Sequence, residues 1–219
     1  MHSATLNGDA FPTTVDTAYN RIKRMILYKE LVSGQKLSEI GLSEQLGVSR
    51  TPVRDALRRL SNEGFVVIVP KSGTWVASPT RREVEDAYEV RARLEGWAAS
   101  MAAHNVTPLF LARLEEKIGE EDEIFKVRDL ERYLEVNRGF HMIIAEAAKN
   151  TILMEYISDI LSKTFIYMVF MERYFDFGNN PSLDEHRSIL AAFAARDEKL
   201  CVELAEDHVR TALTELKLS

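Results

Sequence analysis

The chain has 219 residues, of which 46% are hydrophobic, so it is long enough to bury one or two sizeable cores. It contains neither an apolar run that could span a bilayer nor the residue order of a signal peptide, so we expect a cytoplasmic protein with no membrane partner. The single cysteine, Cys201, excludes an internal disulfide and any multi-cysteine zinc site.

The net charge of -6 combines two halves of opposite sign. Residues 1–79 carry 10 Lys and Arg against 7 Asp and Glu, whereas residues 80–219 carry 18 against 27. A basic N-terminal half on an acidic body predicts an anionic partner for the N-terminal half alone. The change in composition also predicts the organisation of the chain, which is a disordered leader over 1–14, a first domain over 15–78 and a second over 79–219.

The first predicted helix begins at Asp16 or Thr17, either of which can act as its N-cap, and it runs through Val32. A second helix follows the turn SGQ, with Ser38 as its N-cap and Gly47 as the left-handed residue that ends it. The side chains of this second helix that we predict to face inward are Ile40, Leu42 and Leu46.

Ser49 is predicted to cap a third helix, in which Pro52 is tolerated because it lies in the first turn. Gly64 closes that helix, and two runs rich in β-branched residues, 65–69 and 74–77, flank the turn PKSG. They predict a small hairpin, or wing. Helix, tight turn, helix and wing together predict a winged helix-turn-helix domain.

From Thr80 onward the pattern is helical only, so the predicted fold class is mainly α, with the winged helix-turn-helix domain followed by an all-α six-helix bundle. Thr80 and Glu83 are predicted to form a capping box at the start of the first of these helices. Three further starts are marked by Thr107 with Pro108, Asn150 with Thr151, and Ser182 with Glu185. The six predicted helices span residues 80–104, 108–123, 127–148, 151–176, 182–195 and 198–217.

Arg50, Arg54 and Arg58 recur every four residues on the third helix, away from its predicted buried face. Like charges at this spacing repel by roughly 0.3 kcal/mol per pair, so we expect an anionic partner to compensate them. Such a helix fits the major groove of DNA, while Lys71 on the wing reaches an adjacent groove. A solvated basic face is the alternative, but the order of turn, capped basic helix and hairpin favours DNA.

The segment LSEQLGVSRTPVRDALRRLSNEGFVVIVPKSGTWV resembles the winged helix-turn-helix head of the GntR family of bacterial transcription regulators, and the match covers nearly all of residues 17–77. The contacts that this resemblance implies are Arg50 and Arg54 on bases or phosphates, Ser49 and Thr51 on phosphate, and Gly73 at the wing tip in the minor groove. We add Arg58 to this set because it belongs to the arginine stripe, whereas the resemblance does not imply it.

Charged and polar side chains interrupt the apolar stripes of the second domain. Arg91 lies within the stripe of the first body helix, and Glu95 follows one turn later. One interpretation is a salt bridge from Arg91 to Glu95 or to a neighbouring helix, and the other is an anionic ligand held by the guanidinium. The two fit this pattern equally well.

Three of the five histidines, His141, His186 and His208, are predicted to face the core of the second domain, and Asn137 lies one turn before the first of them. A lone inward histidine is usually a hydrogen-bonded core residue. Three neutral imidazoles buried separately would each need a partner, whereas convergence on one cation satisfies all of them. Histidine nitrogens with one oxygen ligand suit zinc, and also nickel, cobalt or manganese.

The segments YEVRARLE, NRGFHMIIAEAAKN, DEHRSILAAFAARD and EDHVR resemble the FCD ligand-binding domain of the FadR branch of the GntR family. Six helices, rather than seven, resemble its VanR-like subgroup. The resemblance implies a divalent metal bound by Asn137, His141, His186 and His208. Asp is the commoner first ligand, so the neutral Asn137 is a departure that predicts a weaker site or a different metal preference.

These features predict a homodimeric, ligand-responsive transcription regulator, most readily a repressor, that binds a double-stranded DNA operator and is not an enzyme. A small organic acid is expected to bind the metal and Arg91, and to shift the two heads relative to each other. Two heads are expected because one small head buries too little DNA surface.

Three alternatives are a direct metal sensor, a metal-free effector-binding regulator and a metallohydrolase. The last is disfavoured because no zincin motif or evident general base accompanies the histidines. Periodicity leaves open whether the aromatic residues of the fourth body helix line the pocket or form the dimer interface, namely Phe165, Tyr167, Phe170, Tyr174 and Phe175.

Overall fold

The computed structural model of the protein describes residues 13–170 and 180–216. The chain divides into two compact units, Met1–Ser78 and Pro79–Ser219. The described residues are mainly helical, and their sheet is confined to the first unit, which confirms the predicted fold class. None of the helices in the described part of the chain is long and apolar enough to cross a membrane.

The described part of the first unit, from residue 13 onward, contains three helices, namely α1 (Thr14–Leu27), α2 (Glu39–Leu46) and α3 (Arg50–Glu63). The prediction that Asp16 or Thr17 caps α1 is wrong, because Thr13 is the N-cap. Asp16 is the third helical residue, and its carboxylate accepts a hydrogen bond from the backbone N–H of Thr13 in a capping box. The predicted leader over 1–14 is therefore too long, because Thr13 caps α1 and Thr14 is its first residue. The helix stops at Leu27, well before its predicted end at Val32.

The turn between α2 and α3 is confirmed. Ser38 caps α2 through its hydroxyl, and Gly47 ends the helix with a φ of 69°, a conformation that costs glycine little. Ile40 was predicted to face inward but is 52% exposed. The helix has only eight residues and buries Leu42 and Leu46, which leaves Ile40 outside the contact.

The predicted wing forms from β2 (Val66–Val69) and β3 (Gly73–Val76), which pair antiparallel with Val66 opposite Val76 and Val69 opposite Gly73. A third strand, β1 (Lys36–Leu37), pairs with the other edge of β3, giving the order β1-β3-β2. Two residues are too few to show alternation, so the sequence pattern could not indicate β1.

Six described helices build the second unit. They are α4 (Arg81–Ala103), α5 (Pro108–Val127), α6 (Leu130–Ala147), α7 (Thr151–Phe170), α8 (Pro181–Ala195) and α9 (Glu198–Glu215). The Thr80 capping box with Glu83 is confirmed. The predicted start of α6 at 127 is wrong, because Asp129 caps it, and the predicted Ser182 start of α8 is wrong because Asn180 caps it.

Some predicted boundaries lie outside the described residues. These are most of the leader, the last six residues of the helix predicted over 151–176, which include Tyr174 and Phe175, and the final residue of the helix predicted over 198–217. Within the described part, α4 packs against α6, α7 and α9, while α5 packs against α6 and α8. This arrangement brings residues from α4, α6, α8 and α9 to one interior region.

Candidate functional site

The outer surface of α3 presents the predicted DNA-binding residues to solvent. Arg50, Thr51, Arg54 and Arg58 are all exposed, and so is Ser49 at the N-cap position. The opposite face of the helix is buried through Val53, Ala56, Leu57 and Leu60. The periodicity that separated a basic face from an apolar face is therefore confirmed.

Two of the three stripe arginines have carboxylate partners within the first unit. Arg54 donates to both oxygens of Glu39, from Nε at 3.1 and 3.2 Å and from NH2 at 2.8 Å. Arg58 lies 3.6 Å from Asp55. The hydrogen bonds from Arg54 and the nearby charges of Arg50 and Arg58 hold the pKa of the Glu39 carboxyl below its usual value. Glu39 and Asp55 therefore supply part of the negative charge that we expected from an external anion. Exposed ion pairs of this kind contribute little to stability.

A fourth arginine of α3, Arg59, belongs to the packing of the unit. Its guanidinium lies 3.8 Å from the centre of the Tyr19 ring and pairs with Asp16 at 3.2 Å and with Glu63 at 3.5 Å. Arg59 therefore fixes α3 against α1, whereas Arg50, Arg54 and Arg58 face outward.

The wing places Lys71 in its turn, exposed and with a φ of 63°. Gly73 follows with a φ of 132°, and a Cβ there would come within 3.1 Å of the Lys36 side chain. Ser49 has the backbone conformation of an N-cap, but its hydroxyl makes no capping hydrogen bond. The hydroxyl of Ser49 is consequently available to an external acceptor.

In the second unit, the three predicted histidines come together. His141 on α6, His186 on α8 and His208 on α9 are all buried, and each offers a ring nitrogen within 4.8 Å of the other two. The ring centres are 4.7 to 5.4 Å apart. Asn137, one turn before His141 on α6, is 5% exposed. Residues from three helices, α6, α8 and α9, thus converge as the histidine pattern predicted.

Each histidine is bonded to a glutamate through Nδ1. The distances are 2.7 Å from His141 to Glu95, 2.6 Å from His186 to Glu121 and 2.7 Å from His208 to Glu185. A carboxylate accepts, so Nδ1 carries the proton in each ring and Nε2 keeps its lone pair. Among the described residues, Nε2 of His186 has no hydrogen-bond partner.

The electrostatics keep the imidazoles of His141 and His208 neutral. Burial lowers the pKa of His141 to about 3, although Glu95 opposes the shift. Burial also lowers the pKa of His208. A neutral imidazole with an available lone pair is the form that binds a metal ion, so the protonation states suit coordination.

Glu121 stays ionised although it is 1% exposed. Burial acts to raise the pKa of its carboxyl, but His186 and the hydrogen bonds from Asn180 and Tyr133 outweigh burial and lower that pKa to about 2. The hydroxyl of Tyr133 donates to Glu121 at 3.0 Å and the Asn180 amide donates at 2.9 Å. Two neutral donors thus stabilise the carboxylate beside His186.

Arg91 is 2% exposed and forms the internal salt bridge that was one of its two predicted roles. Its Nε donates to Glu95, and its NH2 lies 3.1 Å from Nε2 of His141. Burial acts to raise the pKa of Glu95, but Arg91 and His141 outweigh it and hold the pKa well below its usual value. The guanidinium therefore lies directly beside the histidine cluster.

The sequence interpretation missed Glu121 and Glu185. Glu121 continues the stripe of Phe110, Leu114 and Ile118 on α5, so a carboxylate in an inward position was a usable signal. Glu185 is partly exposed and pairs with a histidine on another helix. Nothing in its local spacing distinguishes it from a surface glutamate.

A basic winged-helix head joined to a helical domain with a buried polar cluster defines a DNA-binding transcription regulator. Residues 86–211 match the FCD domain family, and residues 14–76 match the family described as bacterial regulatory proteins, gntR family. The chain therefore belongs to the GntR family of bacterial regulators with a C-terminal FCD domain, as the sequence motifs predicted.

Relatives support this assignment. The HTH-type transcriptional regulator McbR of Escherichia coli is 30% identical over 186 residues, covering 83% of each chain. The solved structure of E. coli McbR/YncC has a TM-score of 0.69 at 25% identity and covers 94% of this chain and 98% of that chain. The Nta operon transcriptional regulator of Aminobacter aminovorans is 29% identical over 178 residues, covering 81% of this chain and 82% of the relative.

A further relative, the HTH-type transcriptional repressor RspR of E. coli, is 26% identical over 181 residues, covering 82% of this chain and 78% of RspR. These relatives are transcription regulators rather than enzymes. The chain is accordingly a transcription regulator, as predicted, and the metallohydrolase alternative is set aside.

Proposed function

We propose that the protein is a repressor whose affinity for a double-stranded DNA operator is controlled by a small organic acid bound beside a metal ion in the FCD domain. The observation that carries this proposal is the buried cluster of His141, His186 and His208, with each Nδ1 proton directed to a carboxylate. The repressor role is supported by the relative RspR, which is named a repressor.

The operator contacts that we propose lie on the exposed face of α3 and on the wing. Arg50, Arg54 and Arg58 offer guanidinium groups to guanine edges or phosphates in the major groove. Ser49 and Thr51 offer hydroxyl groups at the start of α3, where backbone N–H groups also favour a phosphate. Lys71 and Gly73 on the wing approach the neighbouring groove.

The proposed metal ligands are Asn137, His141, His186 and His208, and zinc is the first candidate, with nickel, cobalt and manganese as alternatives. The residues fit such an ion because Nε2 of His186 is buried without a hydrogen-bond partner, and burial lowers the pKa of His141 and of His208 so that both rings are neutral. When bound, the ion would supply a Lewis-acidic position for an anionic ligand.

Arg91 is the residue that we propose to bind the carboxylate of the effector. Its NH2 group lies beside His141, so an anion that reaches the cluster would also meet a guanidinium. A small organic acid matches both a cation and an arginine, whereas a neutral compound of similar size matches neither.

We also propose that the protein acts as a homodimer in the cytoplasm, where its DNA partner lies. Two heads double the operator contacts that one small head makes. The body exposes large apolar side chains on α4 and α7 that suit a partner copy, since Trp97 is 56% exposed and Tyr156 is 62% exposed. Light scattering on the purified protein should give twice the chain mass, and a Trp97→Ser variant should shift the equilibrium toward the monomer.

Elemental analysis combined with a thermal-shift screen tests the proposal. The purified protein should carry close to one divalent metal per chain, and organic acids should raise its melting temperature only when the metal is present. Metal without any acid response would favour the direct metal sensor, and an acid response without metal would favour the metal-free regulator.

A further inference from the structure

The glutamates that contact the three histidines have no role in the proposed function beyond their hydrogen bonds. Glu95 and Glu121 are 7% and 1% exposed, and the Glu185 side chain is 31% exposed. They come from α4, α5 and α8, so three separate helices each deliver a carboxylate to one histidine. A histidine that only fills a core needs one hydrogen-bond partner of any kind, and a carbonyl group would serve.

Each carboxylate selects one tautomer. A proton held on Nδ1 by a glutamate at 2.6 to 2.7 Å leaves Nε2 unprotonated, and the hydrogen bond also fixes the rotation of the ring about its Cβ–Cγ bond. The same choice is made three times in one cluster. Nε2 is therefore the unprotonated nitrogen in all three rings, although in His141 it accepts a hydrogen bond from the NH2 group of Arg91. Three independent core histidines would not require the same tautomer.

Charge provides a second argument. Three glutamates and one arginine, Arg91, contact the histidines, so carboxyl groups outnumber guanidinium groups around the cluster by two, and Asn137 contributes no charge. A divalent cation would balance the charge of the two excess carboxylates within a region from which water is largely excluded. Asn137 lacks the negative charge that an aspartate would give. The negative charge that balances the cation would therefore come from the glutamates, which are not themselves proposed ligands.

We propose that Glu95, Glu121 and Glu185 are positioning residues of the metal site, which hold His141, His186 and His208 with Nε2 unprotonated and supply the negative charge that Asn137 does not. Hydrogen-bonded carboxylates behind histidine ligands strengthen metal binding by raising ligand basicity and by fixing orientation. This inference rests on the proposed metal site. It gives the glutamates a role in metal binding in addition to any contribution they make to folding.

Zinc affinity of the full chain, measured by competition with a chromogenic chelator, tests the role directly. Glu121→Gln and Glu185→Gln keep the side-chain shape but remove the charge, and each should weaken zinc binding by about 10- to 100-fold. Glu115→Gln is the matched control, because Glu115 is an exposed residue of the same helix as Glu121 and its substitution removes the same charge. Its zinc affinity should stay within about twofold of the parent value.

The tautomers are measured without metal by long-range nitrogen–proton correlation on protein with labelled histidine. His141, His186 and His208 should show the Nδ1–H form in the parent, and the ring behind each substituted glutamate should lose that preference. The exposed ring of His104 serves as an internal reference.

If Glu121→Gln does not fold, Glu185→Gln still tests the proposal, because Glu185 is partly exposed and its substitution should disturb folding less. Folded variants with unchanged zinc affinity and unchanged tautomers would overturn the proposal, even if their melting temperatures fell. If the parent chain bound no zinc, the proposed metal site would fail. The tautomer measurement would then decide by itself whether the carboxylates determine which nitrogen of each ring carries the proton.

Discussion

The arginine–glutamate pairs at the two proposed recognition sites lie in opposite surroundings. In the first unit, Arg54 and Glu39 are paired on the surface, with side-chain exposures of 47% and 34%. In the second unit, Arg91 and Glu95 are paired in the interior, with side-chain exposures of 3% and 8%. An exposed pair exchanges partners at little cost, whereas a buried charge that loses its partner is destabilising by several kcal/mol, on the order of 3 to 5.

The difference suits two kinds of recognition. Arginines that are held only weakly by Glu39 and Asp55 can transfer to phosphates or bases without a large penalty. Buried charges around the histidines form a fixed framework in which a ligand must match an existing arrangement. Changes in the head should therefore weaken DNA binding in graded steps, while changes in the cluster should remove its function almost entirely.

The largest expected effect is the loss of metal from the double variant His141→Ala, His186→Ala. Removing two of three imidazoles should lower zinc affinity by about 1000-fold or more, because the remaining groups cannot satisfy the ion. Elemental analysis after dialysis measures this, with His104→Ala as a control for surface histidine loss. A double variant that retained parental metal content would remove the metal site from this account.

The next effect is on DNA. Arg54→Ala should cost about 1 to 3 kcal/mol at the operator, since it removes a side chain that can contact bases from the exposed face of α3. An operator selected from random double-stranded DNA and a gel-shift titration would measure the loss. Arg59→Ala is an informative comparison, because Arg59 packs against Tyr19 and its loss should mainly lower stability. Unchanged specific binding by Arg54→Ala would contradict the assignment of α3.

A smaller change is expected at Asn137. Asn137→Asp adds a negative charge to a proposed ligand, and zinc retention should tighten by about tenfold, or 1.4 kcal/mol. Competition with a chelator gives the affinity, and Asn105→Asp, at a partly buried asparagine away from the cluster, controls for the added charge. Retention no tighter than that of the parent in Asn137→Asp would contradict the assignment of residue 137 as a ligand.

The smallest expected effect belongs to the wing. Lys71→Ala should weaken binding severalfold and equally across DNA sequences, because a lysine on a phosphate carries no sequence information. The slope of the logarithm of affinity against the logarithm of salt concentration should fall by about 1. A change confined to the selected operator, with none on mixed-sequence DNA, would indicate that Lys71 contacts bases.

The head could be predicted closely because its determinants are local. Ser38, Gly47 and Gly64 mark helix ends through side-chain capping or positive φ, and the apolar and basic faces of α3 follow from one periodicity. The failures were also local. Asp16 was taken for a cap because the competing Thr13 lay within the leader, and Glu39 was missed because its contact with Arg54 spans 15 residues between two helices.

The body was predictable only in part. The inward positions of His141, His186 and His208 follow from helical periodicity, but their Nδ1 partners depend on how α4, α5 and α8 pack. Periodicity gives the face of a helix and does not give its neighbour. Glu185 shows the limit, since it lies beside His186 in sequence and bonds to His208 instead.

The central claim is that a ligand in the helical domain controls operator affinity in the head. The most direct measurement is operator affinity of the zinc-loaded full chain with and without an organic acid that raises its melting temperature. The account predicts a change of about 5- to 150-fold, which corresponds to a coupling free energy of roughly 1 to 3 kcal/mol, and the change should be lost in Arg91→Gln. An acid that binds the protein and leaves operator affinity unchanged would contradict the claim.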